Sequence, residues 1–204
     1  MRKLLARYGG LLVGALVLVV AGVAAWQAWS YYQAQQTARI AGQFLAAMQV
    51  ADGPDKSEAA RKAALADFEK IVATGTAGYR TLAELRVAAL QRDSGNAAAA
   101  LAALDHVAAD AAADTLLRGL ASLEWCMMQL ESGDPAALAA RLAPLAALGN
   151  PWHALAQEQQ ALLDLRLKKT DAARALFKAL AQDTTAPDGV RGRANGLLAQ
   201  LGGP

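Results

Sequence analysis

YRTLAELRVAALQRDSGN (Tyr79–Asn96) lies over LRGLASLEWCMMQLESGD (Leu117–Asp134) and ALAQEQQALLDLRLKKTD (Ala154–Asp171) when Asn96, Asp134 and Asp171 share a column. Each segment leads into an alanine-rich run: AAAALAALDHVA, PAALAARLAPLA and AARALFKALA. The column residues are 38 and 37 residues apart. Each is a good N-cap, because a short side-chain oxygen can accept the free backbone N–H groups of the helix that follows. Gly95 and Gly133 stand just before the column, where the preceding helix must end and left-handed backbone comes easily to Gly. Pro135 and Pro151 occupy expected first helical positions, where a missing N–H costs nothing. Cap, turn and helix length recur together three times, so the spacing predicts three helix–turn–helix pairs.

A period of about 34 to 40 residues built from such pairs is the pattern of tetratricopeptide-type repeats. One pair cannot bury its apolar face alone, so stacking must supply the core. Small residues such as Ala83, Ala89, Ala121 and Ala175 are expected to let paired helices approach closely. Pro187 to Leu201 reads as a last helix, with Arg191, Arg193, Asn195 and Gln200 giving it a polar side suited to capping the stack.

Upstream of the pairs, a helix of about Ser57 to Ala73 presents Leu65, Phe68, Ile71 and Val72, and Gly75 and Gly78 are expected to end it. Before it, SYYQAQQTARIAGQFLAAMQV reads as one helix, with Ile40, Phe44, Leu45 and Met48 at helical spacing. Asp52-Gly53-Pro54 stops it. That helix continues back into GGLLVGALVLVVAGVAAWQAW (Gly9–Trp29). No charged residue occurs between Arg7 and Arg39. About 20 apolar residues in a helix cross a ~30 Å hydrocarbon core. The Leu and Val residues from Leu11 to Val23 favour the bilayer by about 3–5 kcal/mol on an insertion scale.

Arg2, Lys3 and Arg7 precede this stretch, and Lys and Arg bias the cytoplasmic side of a span. The amino terminus is therefore expected in the cytoplasm and the rest across the membrane. A cleaved signal peptide is the rival reading, with Val23-Ala24-Ala25 as its cleavage site. The apolar run is longer than a signal core of roughly 7–15 residues. Trp26, Trp29, Tyr31 and Tyr32 cluster where an aromatic belt would sit, which favours a retained anchor. Gly10 and Gly14 form a small-xxx-small pair that could pack against another membrane helix.

Composition narrows function. Of 20 basic residues, setting aside Arg2, Lys3 and Arg7 leaves 17 against 18 acidic, so no basic face is implied and nucleic-acid binding has no electrostatic support. Beyond the anchor no segment alternates with period two, and the fold reads as all-α. The single cysteine, Cys126, has apolar neighbours and reads as a buried small hydrophobe. His106 reads as a surface residue and His153 as packing at a helix start. No Cys or carboxylate cluster stands beside either at metal spacing. No Gly-rich phosphate loop and no nucleophile–base motif occurs. Catalytic, cofactor and metal residues are accordingly expected to be none.

AAWQAWSYYQAQQTARIAGQF after the span, GYRTLAELRVAAL in the first repeat and PWHALAQEQQALLDLRLKKTDAARALFKALAQD in the last resemble the YfgM family, the ancillary SecYEG translocon subunit. The resemblance implies a single-pass inner-membrane protein with a periplasmic tetratricopeptide-like domain. Its partners would be the SecYEG translocon, a membrane-anchored periplasmic prolyl-isomerase-type chaperone and membrane lipid. On this reading residues 1–8 are cytoplasmic, 9–29 span the membrane, 30–74 form a helical stalk and capping helix pair, and 75–204 hold the repeats and their C-terminal cap. Polar positions on the first helices, Arg80, Glu84, Gln91, Glu158 and Gln159, are the candidate partner contacts. An envelope assembly factor, serving cytochrome maturation or cell division, is the alternative use of such an anchored domain.

Overall fold

The structure, a computed structural model, describes residues 2–202, with side chains from Leu16 onward except residue 17. Among the described residues nine α-helices form and no strand does. They are α1 (Arg2–Asp52), α2 (Glu58–Thr74), α3 (Ala77–Asp93), α4 (Ala97–Ala109), α5 (Thr115–Gln129), α6 (Pro135–Leu142), α7 (His153–Arg166), α8 (Thr170–Gln182) and α9 (Asp188–Gln200).

The buried residues give the true repeat register. Ala47, Ala83, Ala121 and Ala156 lie on first helices at steps of 36, 38 and 35. On second helices, and just past the end of α6, three further columns keep the same steps. They are Ala64, Ala100, Leu138 and Ala173; Phe68, Leu104, Leu142 and Phe177; and Ile71, Val107, Leu145 and Leu180. The end of α1 with α2 is therefore built like the three pairs after it. Alanine at the first-helix position lets two helices close on each other, and the large residue four positions into the second-helix column fills the space between layers. Each second helix packs between its own first helix and the first helix of the next pair. α9 takes that last place for α8 and buries Val190 and Ala194.

This register corrects the column drawn from sequence. Asn96 and Asp134 are N-caps, accepting from Ala99 N at 3.4 Å and Ala137 N at 2.9 Å. Asp171 is not a cap. α8 already starts at Thr170, its N-cap residue is Lys169, and no side chain caps it. Ala175 is exposed for the same reason, and the buried alanine is Ala173, two residues earlier. The turns agree: Asn96 N donates to Gln91 O and Lys169 N to Asp164 O, a shared six-residue closure. The left-handed residue of each turn is Gly95 (φ 78°) and Lys168 (φ 60°).

Gly133 does not adopt left-handed backbone. A Cβ there would lie 2.8 Å from Gln129 O, so the turn excludes a side chain by contact. Gly78 does not end α2 but sits inside α3, and Gly75 alone provides the C-cap. Pro135 opens α6 as expected, whereas Pro151 precedes α7 by two residues. Gly119 on α5 is required by Trp152, whose Cδ1 would be 2.6 Å from a Cβ at that position. The Trp152 indole N–H also donates to Leu116 O at 3.0 Å.

Arginines close helix ends whose last carbonyls lack intrahelical donors. Arg118 donates to Ala108 O, Arg166 to Leu130 O and Arg174 to Leu201 O. At the head of the stack, Arg86 on α3 holds both oxygens of Asp52, the last residue of α1, at 2.7 and 2.6 Å. α1 thus joins the stack at its C-terminal end. Every described residue from Leu18 to Arg39 is exposed, and burial begins at Ile40. No helix is long and apolar enough to cross a membrane among the described residues. Of the expected span, Gly9–Trp29, the side chains of residues 9–15 and 17 lie outside that description, Gly10 and Gly14 among them.

Candidate interaction surfaces

The five polar positions proposed from sequence do not share one environment. Arg80 is half-buried on α3. Glu84 is mostly covered, and its Oε1 lies 2.6 Å from His106 Nδ1 on α4. His106 itself is exposed, as its sequence neighbourhood indicated. Gln91 accepts from Asn96 Nδ2 at 3.1 Å and helps hold the α3–α4 turn. Glu158 is 3 % exposed. Arg193 on α9 donates to it twice, Nε to Oε1 and Nη2 to Oε2, both at 2.6 Å. Gln159 beside it is 6 % exposed. Glu84, Gln91 and Glu158 therefore tie helices together, whereas among the described residues neither Arg80 nor Gln159 makes a side-chain hydrogen bond or ion pair. Nothing in the sequence links Glu158 to Arg193, 35 residues away; only the packing of α7 on α9 does.

What the sequence left out is the set of exposed apolar residues on the stack. Leu45, Leu116 and Met127 are exposed, and Leu148 is 91 % exposed in the turns after α6. On α1 the exposed apolar set is denser: Leu16, Leu18, Val19, Val20, Val23, Trp26, Trp29, Tyr31 and Tyr32. These residues point to every side of the helix. A helix apolar all round needs an apolar surrounding on all sides.

Chemical groups are few. Cys126 is fully buried where Ala88 and Ala161 stand in neighbouring repeats, and burial pushes its thiol up to about 11, with Arg141 pulling slightly the other way. His153 Nδ1 lies 2.6 Å from Ala146 O and ties the α6–α7 connection to the start of α7. Asp183 is held below the usual carboxylate range by the Thr185 hydroxyl and backbone N–H in the α8–α9 turn. Among the described residues no three His, Cys, Asp or Glu side chains gather as metal ligands would.

A family model described as tetratricopeptide repeat-like domain matches residues 2–194. A comparison with curated proteins finds no match, and one with solved structures finds none.

Proposed function

Because the chain belongs to the tetratricopeptide repeat-like domain family, we propose that it is a membrane-anchored scaffold for protein partners, without catalytic activity of its own. The observation that carries this reading is α1. Its apolar residues stand clear of the stack on all sides up to Arg39, and its last turns serve as the first helix of the first repeat. A water-facing helix of that composition would be an aggregation hazard; in a bilayer it is satisfied.

The basic residues before the stretch orient the amino terminus to the cytoplasm and the repeats to the far side, the periplasm of a two-membrane cell. The resemblance to the YfgM family extends the reading to the SecYEG translocon and a prolyl-isomerase-type chaperone as partners, with the repeats assisting handover of translocated chains. Photo-crosslinkers at Arg80, exposed Leu82 and exposed Met127 in intact membranes test it. Recovery of translocon or chaperone subunits supports the proposal. Recovery of neither, with the chain extracted from membranes by alkaline carbonate, overturns it. A deletion strain that loses c-type cytochromes or divides abnormally, with export intact, would instead favour an envelope assembly factor.

A further inference from the structure

The repeat pattern breaks at one place, between α6 and α7. α3 and α5 begin six residues before Ala83 and Ala121, but α7 begins only three before Ala156. α2, α4 and α8 run past Ile71, Val107 and Leu180, whereas α6 stops three residues short of Leu145. Pro144 lacks the N–H that would carry the ladder on. A turn is missing from each of two successive helix ends, and residues 143–152 fill the interval with turns. What remains is a groove of roughly 430 Å³, within the range that holds ligand groups. Leu116, Pro144, Leu145, Pro151 and Trp152 supply its walls.

Arg118 is the one charged residue on that lining. Its Nε donates to Ala108 O at 3.2 Å, which fixes the guanidinium plane. Among the described residues no carboxylate lies within ion-pair distance of it. The acids nearest in sequence are committed to their own turns: Asp110 accepts from Ala112 N, and Asp114 from Leu116 N. Asn150 is likewise closed, accepting from Trp152 N and donating to Pro144 O. The groove thus offers apolar walls and one oriented cation with no acid against it.

We propose that this groove docks an internal segment of a partner protein in which one Asp or Glu is flanked by apolar residues. The carboxylate would take the planar donors of Arg118 and the apolar neighbours would cover Trp152 and Leu145. An acidic side chain fits better than a chain terminus. Terminal carboxylates are captured by clustered backbone N–H groups, and Asp114 already occupies the first of these on α5. The proposal does not depend on whether α1 lies in a membrane.

The test uses the full chain in detergent, titrated with fluorescein-labelled, amidated Ala-Leu-Val-Glu-Leu-Ala-Leu and read by anisotropy with empty micelles subtracted. A second peptide carries Gln in place of Glu. The Glu peptide should bind at least about tenfold tighter, the worth of a charge-assisted pair. Arg118→Gln should level the two peptides. Leu116→Asp, at a position already 46 % exposed, should weaken both and the Glu peptide more. Arg92→Gln, on α3 outside the groove, should change nothing. Equal binding of the two peptides by the native chain, binding of neither, or a Glu preference that survives both Arg118→Gln and Leu116→Asp would each overturn the proposal.

Discussion

Replacing Arg193 with Leu should damage the carboxy-terminal end of the stack far more than replacing its partner. Glu158 is 3 % exposed, while the Arg193 side chain is 55 % exposed. Removing Arg193 strands a buried carboxylate that water can barely reach. Breaking a buried pair in this way costs about 3–5 kcal/mol. Arg193 approaches from the solvent side, and water can enter along the path it vacates, so about 3 kcal/mol is expected. Glu158→Leu leaves a guanidinium that is already half in water, and about 1 kcal/mol should suffice there. The double variant replaces the pair by apolar contact and should recover to within about 1 kcal/mol of the native chain. Because α9 packs mainly on α8 and α7 among the described helices, the loss should appear first as local opening. Amide exchange of α9 should accelerate by roughly 100-fold in Arg193→Leu, since 1.4 kcal/mol is tenfold, while α3 and α4 stay protected. Equal costs for the two single variants, or a cost below about 1 kcal/mol for Arg193→Leu, would refute the assignment of Glu158 as a charge buried only by virtue of its partner.

Gly119→Ala should lower the thermal midpoint by the equivalent of about 1–3 kcal/mol, because the new methyl meets the Trp152 indole at 2.6 Å; Trp152→Leu in the same chain should restore part of it in a calorimetric scan. Asn96→Ala and Asp134→Ala should each cost about 1 kcal/mol in urea titration, whereas Asp171→Ala should cost almost nothing because it caps no helix. Lys168→Gly should raise stability by up to about 1 kcal/mol, as it relieves left-handed backbone at a non-Gly residue. The Cys126 thiol, pushed up to about 11 by burial, should resist maleimide at pH 8 in the folded chain and react fully in urea. Since its folded value lies above the unfolded one, the chain should lose stability as pH rises through that interval, and Cys126→Ala should remove that slope.

The helix pairs were legible from sequence because each turn carries local chemistry. Asn96 behind Gly95, and Pro135 behind Asp134, state where one helix stops and the next starts. The third turn misled for the same reason. Lys168 and Lys169 hold the places of a left-handed Gly and a cap, and neither residue type announces that role, so Asp171 attracted the alignment. The buried columns would have corrected it, but in a chain this rich in Ala a shift of two residues still sets alanine against alanine. The first pair was hidden in another way. The helix ending at Asp52 has no cap or turn to mark where its repeat begins, because it runs unbroken from the apolar stretch. Least legible were the roles of Glu84, Gln91 and Glu158. Polar residues on a helix read as solvated until the partner that covers them is known, and those partners lie on other turns and helices. The α6–α7 groove, likewise, comes from turns that are missing, which no residue spells out.

The junction at Ile40 has a mechanical meaning. α1 contains no proline and no loop before the stack, and Arg86 on Asp52 clamps its far end to the second pair. The repeats have no hinge between themselves and the exposed rod from Leu18 to Arg39. That rod is about 33 Å long at 1.5 Å per residue, so leaning it by some 10° would carry the head of the stack sideways by about 6 Å. Tilt imposed on α1 would arrive at the repeats as a lever stroke, with their internal spacing unchanged.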